Sequence, residues 1–183
     1  MESWKVVEGY EDGTYKPDEL INRAEFLKII LESTNVQLDS STPTGFSDVD
    51  EASWYAPYLR KAKDEGWIQG YQDGSFKPSQ NINKVEALKI LGEVQKWDRL
   101  TIAEVPESAF KDTYRFSWYS PYLHFAKKND LLFEEVDYFY PNTQVNRGYM
   151  AELVYRTMTK DVINYEPNKT VEDKIIEEKE VET

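Results

Sequence analysis

Three cations recur at one place in this chain, and their setting points to recognition of an anion. Arg23, Lys84 and Arg147 each follow an asparagine, in Asn22-Arg23-Ala24-Glu25, Asn83-Lys84-Val85-Glu86 and Asn146-Arg147-Gly148-Tyr149. A guanidinium can grip a carboxylate through two parallel N–H donors, whereas an ammonium offers only a point charge. Arg23 and Arg147 are therefore the stronger candidates for a carboxylate-binding role, and Lys84 the weaker. Each cation falls in the first turn of an expected helix, where the dipole disfavours it but where amides favour an anion. The bland alternative is a set of solvated surface cations. A ligand-binding role predicts that Arg23→Ala and Arg147→Ala weaken binding and leave thermal stability nearly unchanged.

The elements that position these residues repeat with them. Gly9-Tyr10-Glu11-Asp12-Gly13-Thr14-Tyr15-Lys16-Pro17 returns as Gly70-Tyr71-Gln72-Asp73-Gly74-Ser75-Phe76-Lys77-Pro78, and a fainter third copy ends in Phe139-Tyr140-Pro141. A period of about sixty residues marks a repeat architecture. Asp-Gly supplies a turn position tolerant of positive φ, and proline sets an extended exit. Asp12, Gly13, Asp73 and Gly74 are thus read as turn formers; a calcium loop would need a longer alternating run of oxygen ligands. Tyr10 and Tyr71, with Gly9 and Gly70, flank the turn and are candidates to face a ligand. Asn22 with Glu25, and Asn83 with Glu86, have the spacing of a capping box.

A second motif precedes the turn. Phe46-Ser47-Asp48-Val49 with Ser53-Trp54-Tyr55-Ala56-Pro57-Tyr58-Leu59 recurs as Phe110-Lys111-Asp112-Thr113 with Ser117-Trp118-Tyr119-Ser120-Pro121-Tyr122-Leu123. The serine reads as a helix N-cap, with proline in the first turn and Gly66 as the C-terminal stop. Trp54 and Trp118 are expected in the core or between repeats, because large aromatics dominate burial. Neither type of helix can bury its apolar stripe alone, so the copies should pack around a shared centre. Leu27, Ile30 and Leu31 correspond to Leu88, Leu91 and Gly92, and to Ala151, Val154 and Tyr155. Residues 1–40 form a first copy without the Phe-x-Asp and Trp-Tyr elements, 41–104 a second and 105–160 a third. The third has Phe133 and Asp137 where Gly70 and Gly74 stand, and Tyr149 where Glu86 stands. Residues 161–183 read as an acidic linker or tail.

Composition narrows the function classes. The 183 residues are 40% hydrophobic and 14% aromatic, enough for a packed core. A net charge of −12 argues against nucleic acid and anionic lipid as partners. The chain has no cysteine, hence neither a disulfide nor a thiolate metal site. No membrane-spanning run and no signal peptide is read in it, so that if the parent protein is exported its signal lies outside this chain. His124, the only histidine, reads as a surface or partly packed helix residue. Carboxylates are numerous enough for a glycosidase-type pair, but no nucleophile elbow, metal signature or phosphate loop is present. The expectation is a non-catalytic protein without a cofactor.

The ordered combination of Phe-x-Asp-Val, Trp-Tyr, Gly-Tyr-x-Asp-Gly-x-Phe-x-Pro and a tetrapeptide like Thr-Arg-Ala-Glu resembles the S-layer homology repeat, over roughly Val6 to Met158. The resemblance implies a mainly α fold, a pseudo-threefold bundle with one helix from each repeat at the centre and three arms. It implies attachment of a bacterial surface protein to cell-wall glycan, extracellularly, through grooves between the arms. The implied ligand is a secondary cell-wall polymer ending in pyruvylated sugar, with the tetrapeptide arginine holding the pyruvyl carboxylate. Lys84 departs from that arginine, which weakens the second copy's site. Two other readings remain beside anchoring: a surface-lattice contact between proteins, and the anchoring part of a larger surface enzyme.

Overall fold

The protein is described by a computed structural model over residues 13–39, 41–133 and 137–159. Gly9, Tyr10, Asp12 and the acidic segment 161–183 lie outside the described residues. Five helices carry the fold: α1 (Arg23–Ser33), α2 (Ala56–Asp64), α3 (Lys84–Val94), α4 (Ser120–Lys128) and α5 (Arg147–Thr159). Among the described residues there is no strand, only three isolated antiparallel bridges. The chain is mainly α, as its sequence suggests.

Those bridges close a ring. The amide of Ile21 donates to the carbonyl of Val145 at 3.0 Å, Val145 to Ile82 at 2.9 Å, and Ile82 to Ile21 at 3.1 Å. All three side chains are buried. One residue pair further on, the first-turn amides of each central helix cross to the next repeat. Arg23 and Ala24 donate to Gln80 and Pro78, Lys84 and Val85 to Thr143 and Pro141, and Arg147 and Gly148 to Glu19 and Pro17. Helix N-termini leave their first amides without intrahelical partners. Here the neighbouring repeat supplies those partners, so each central helix begins only where another repeat is docked. The three-way exchange returns from the third repeat to the first, which makes the pseudo-threefold closed.

The central helices are α1, α3 and α5. Asn22 and Asn83 cap α1 and α3 with full capping boxes, Glu25 and Glu86 reaching back to the cap amides. Asn146 Oδ1 accepts from the amide of Tyr149, but a tyrosine there cannot return the second bond. Leu27, Ile30, Leu31, Leu88, Leu91 and Val154 are buried as the apolar periodicity requires, whereas Tyr155 is exposed. At Gly92 an added Cβ would lie 2.9 Å from both Trp97 and Tyr122, so glycine there is what lets α4 approach α3.

The outer helices α2 and α4 pack on α1 and α3, the central helices of the preceding repeats. Their N-terminal residues are Tyr55 and Tyr119, without a side-chain cap, and Pro57 and Pro121 sit in the first turn. Ser53 and Ser117 are not the expected caps: their carbonyls accept from Ala56 and Ser120 in a tight turn one step earlier. Gly66, at φ +76°, ends α2 as expected. Two tyrosines join the layers at equivalent positions. Tyr58 donates to Glu32 at 2.6 Å, and Tyr122 donates to Glu93 and accepts from Arg99. The aspartate of each Phe-x-Asp clamps its own arm: Asp48 accepts from the amides of Phe76 and Lys77, and Asp112 from Phe139 and Tyr140.

Deleting a ring side chain should show how far the assembly depends on it. Ile82→Ala is expected to lower stability by about 2–5 kcal/mol, the usual cost of emptying a closed core site, read from urea unfolding. The tyrosine links predict an alkaline limit. Burial, then the bond to a carboxylate, pushes the Tyr58 and Tyr122 phenols up to about 12. A phenol with a raised pKa stabilises the fold in its protonated form. That contribution is complete below about pH 10 and disappears as pH rises toward about 12. In a Tyr58→Phe/Tyr122→Phe chain, the urea midpoint should fall less between those limits than in the parent.

Candidate functional site

The three cations occupy equivalent places, and each reaches into the next repeat. Arg23 Nε donates to the Phe76 carbonyl at 3.0 Å, Lys84 Nζ to the Phe139 carbonyl at 3.0 Å, and Arg147 Nε to the Tyr15 carbonyl at 3.0 Å. Each also lies over the ring of that same aromatic residue, 4.6–4.9 Å from its centroid, a favourable cation–π placement. Lysine at position 84 therefore makes the same inter-repeat bond as the arginines. A second donor of Arg23, Nη1, is 3.3 Å from Glu86.

This geometry corrects two expectations. Arg23 is only 7% exposed, and its backbone and side chain both hold repeat two. Its removal would cost stability, because it would leave the buried Phe76 carbonyl without a partner. Nor are the first-turn amides open to an anion. Those of Arg23 and Ala24 bond the neighbouring repeat, and that of Glu25 bonds the Asn22 cap. Any anion held near Arg23 is held by side-chain charge and by other backbone groups.

The groups that surround Arg23 form a cleft of about 190 Å³. Its walls come from all three repeats. Repeat one contributes Arg23, repeat two contributes the segment from Trp67 to Tyr71 with Glu86, Lys89 and Ile90 of α3, and repeat three contributes Trp118. Tyr71 is locked by two polar bonds: its hydroxyl donates to Glu86 at 3.1 Å and accepts from Gln80 at 3.2 Å. Its phenol pKa is raised, chiefly by burial. Arg23 stands 5.1 Å from the Tyr71 ring centre. Gly70, at φ +73°, has no room for a side chain: a Cβ would lie 2.5 Å from Phe46 and 2.7 Å from the Ser75 carbonyl. The wall at that point is bare backbone. Two cations, Arg23 and Lys89, face one carboxylate, Glu86, so the cleft is locally positive in a chain of net charge −12.

The tryptophans differ from expectation. Trp54 and Trp118 are 55% and 49% exposed. They sit just before the outer helices, edge-on to Tyr55 and Tyr119, and the half-buried tyrosines take the inward position instead. Each indole has a central-helix lysine near its ring, Lys28 at Trp54 and Lys89 at Trp118. Trp118 is thus brought to the Arg23 cleft, and Trp54 occupies the equivalent place against α1. Asp73 is a turn former: it accepts from the Ser75 amide and hydroxyl, bonds that hold its carboxyl below the usual range. Gly13 and Gly74 take the left-handed backbone the turn needs.

Lys89 and Ile90 were not legible as site residues, and neither was the meeting of Trp118 with Arg23. These groups come from different repeats. The signal that could have found them is the recurring Lys28/Lys89 pair, five residues after each cation at 23 and 84.

The third repeat's counterpart is built differently. The Phe133 and Tyr149 rings lie 4.6 Å apart. Lys84 lies 5.0 Å from the Tyr149 centroid and Arg156 5.3 Å from that of Phe133. Arg156 also donates to the Leu132 carbonyl and pairs with Glu152.

Comparison with known proteins agrees with the repeat pattern. The family model of the S-layer homology domain matches residues 5–27, 45–88 and 109–151, more than half of the chain. The S-layer protein sap of Bacillus anthracis is 24% identical over 83% of this chain and 18% of its own length. Exoglucanase XynX of Acetivibrio thermocellus is 28% identical over 87% of the chain and 15% of its own length. The cellulosome-anchoring protein of the same organism is 31% identical over 45% of the chain and 19% of its own length. The chain spans less than a fifth of each of these relatives. With its three matched segments interlocked in one closed bundle, the chain belongs to the S-layer homology domain family, whose place is the bacterial cell surface and wall.

Proposed function

We propose that this chain is a non-catalytic module that fastens a surface protein to cell-wall glycan, and that the Arg23 cleft takes an acidic, pyruvylated sugar of a secondary cell-wall polymer. One observation carries the reading. The cleft combines what such a sugar requires: a cation for the carboxylate, bare backbone at Gly70 for hydroxyl groups, and the half-exposed Trp118 as a platform for the ring. Lys89 adds charge, and Tyr71 stiffens the wall through its bond to Glu86. Arg147 with Trp54 offers a related pair of groups elsewhere in the bundle. The relatives named for cellulosome anchoring, for an S-layer and for an exoglucanase suit a module carried by proteins of different activity. The rest of this protein's task then belongs to whatever the module carries.

A second reading is a contact between surface proteins. It is favoured by Tyr114, Phe116, Tyr138 and Tyr140, large aromatics exposed on the third repeat. Sedimentation without glycan separates the two, since a lattice contact raises the mass with concentration and glycan anchoring does not.

The decisive experiment is a titration of purified sacculi, and of a pyruvylated disaccharide, with this chain. Binding should disappear when the polymer is stripped from the wall; undiminished binding would sink the glycan reading. Trp118→Ala should weaken binding about tenfold, roughly 1.4 kcal/mol, with little change in thermal stability because the ring is half exposed. Parent-like binding by that variant would remove the cleft from consideration. Arg23→Ala should both weaken binding and cost about 1–3 kcal/mol of stability. Arg23→Lys should recover most of the stability, since Lys84 already makes the equivalent bond, while binding stays impaired through loss of the planar fork.

A further inference from the structure

The joint between repeats two and three occupies the place that corresponds to the Arg23 cleft, yet its residues are opposite in kind. Where the cleft has Gly70 and its bare backbone, the joint has Phe133. Where the cleft has Glu86, whose carboxylate anchors Tyr71, the joint has Tyr149. The two substituted rings meet each other at 4.6 Å with planes inclined by 51°. On one side Lys84 lies 5.0 Å from the Tyr149 ring and bonds the Phe139 carbonyl. On the other side Arg156 lies 5.3 Å from the Phe133 ring and bonds the Leu132 carbonyl at 2.8 Å. The order is cation, ring, ring, cation, and both cations are also tied to backbone carbonyls.

We infer that Phe133 and Tyr149 convert this joint from a ligand groove into a closed staple: the two rings of repeat three pack on each other, and Lys84 of repeat two, set over Tyr149 and bonded to the Phe139 carbonyl, is fastened to them and serves the fold. This rests on the glycan-binding reading of the Arg23 cleft, and it names the residues that decide which joint is open. Three features agree on it. A side chain now fills the position where glycine leaves backbone bare. The carboxylate that held the tyrosine wall in place has become an aromatic ring. The cation has changed from a planar fork to a lysine, which is sufficient to bond one carbonyl and sit over a ring. Each change by itself would weaken a sugar site; together they build a packed contact that has no use for one.

The inference is tested on the whole chain with a pyruvylated disaccharide, followed by NMR. The Trp118 indole signal should shift on titration while the ring signals of Phe133 and Tyr149 stay in place. If those rings shift with the same dissociation constant as Trp118, the joint is a groove and the inference is overturned. Calorimetry of Phe133→Gly/Tyr149→Glu/Lys84→Arg should give one more site per chain than the parent. An unchanged site number in a folded variant would show that these residues do not decide it. If the parent binds no saccharide at all, the glycan reading fails, and the staple is then judged without ligand. Phe133→Ala should lower the melting temperature by about 3 °C or more, whereas an unchanged value would overturn the staple.

Discussion

Three backbone hydrogen bonds, from Ile21 to Val145, from Val145 to Ile82 and from Ile82 to Ile21, are the constraint on which everything else in this molecule depends. They lie in a buried centre, where an unpaired amide or carbonyl is costly, so none of the three repeats can leave without stranding groups on the other two. The same exchange supplies the first-turn amides of the central helices. Helix initiation is normally the expensive step in forming a helix; here it is coupled to the docking of a neighbour. The central helices therefore draw part of their stability from the neighbouring repeat, and the repeats are not independent beads on a chain.

The recurring cations fit the same logic. Their most constant feature is the bond to the carbonyl of the neighbouring aromatic, which arginine and lysine both make. The proposed ligand role is an addition to that bond at Arg23. Around Arg23 the surroundings are glycine backbone, a carboxylate-anchored tyrosine, a second cation and an indole from a third repeat. Around Lys84 they are two rings in contact. The repeat thus preserves its scaffold bond in all three places while its outward chemistry differs from joint to joint.

The mainly helical class, the capping boxes at Asn22 and Asn83, the turn role of Asp73 and the stop at Gly66 were legible in the sequence because each is set by residues within a few positions. The tryptophans were not, since burial of Trp54 or Trp118 is decided by which neighbour, Tyr55 or Tyr119, takes the inward position. The ring was also hidden: Ile21, Ile82 and Val145 look like ordinary apolar residues, and their pairing crosses 61 to 124 positions of chain. The burial of Arg23 was hidden for the same reason, because its partner, the Phe76 carbonyl, belongs to another repeat. Sequence spacing located the cations and could not show what they hold.

The Arg23 cleft draws its walls from all three repeats, and this has a mechanical consequence. In a linear array, tension can peel away an end unit while the rest keeps its grip. In this closed arrangement α5 is tied to the other repeats at both ends, by Thr157 to Gln95 and by its leading amides to Glu19 and Pro17, and breaking the latter opens the circuit to which the cleft belongs. Hold and release are then a single event. Such a bundle stays rigid under load up to one threshold and lets go as a unit, and a ligand that binds only its folded form would raise that threshold.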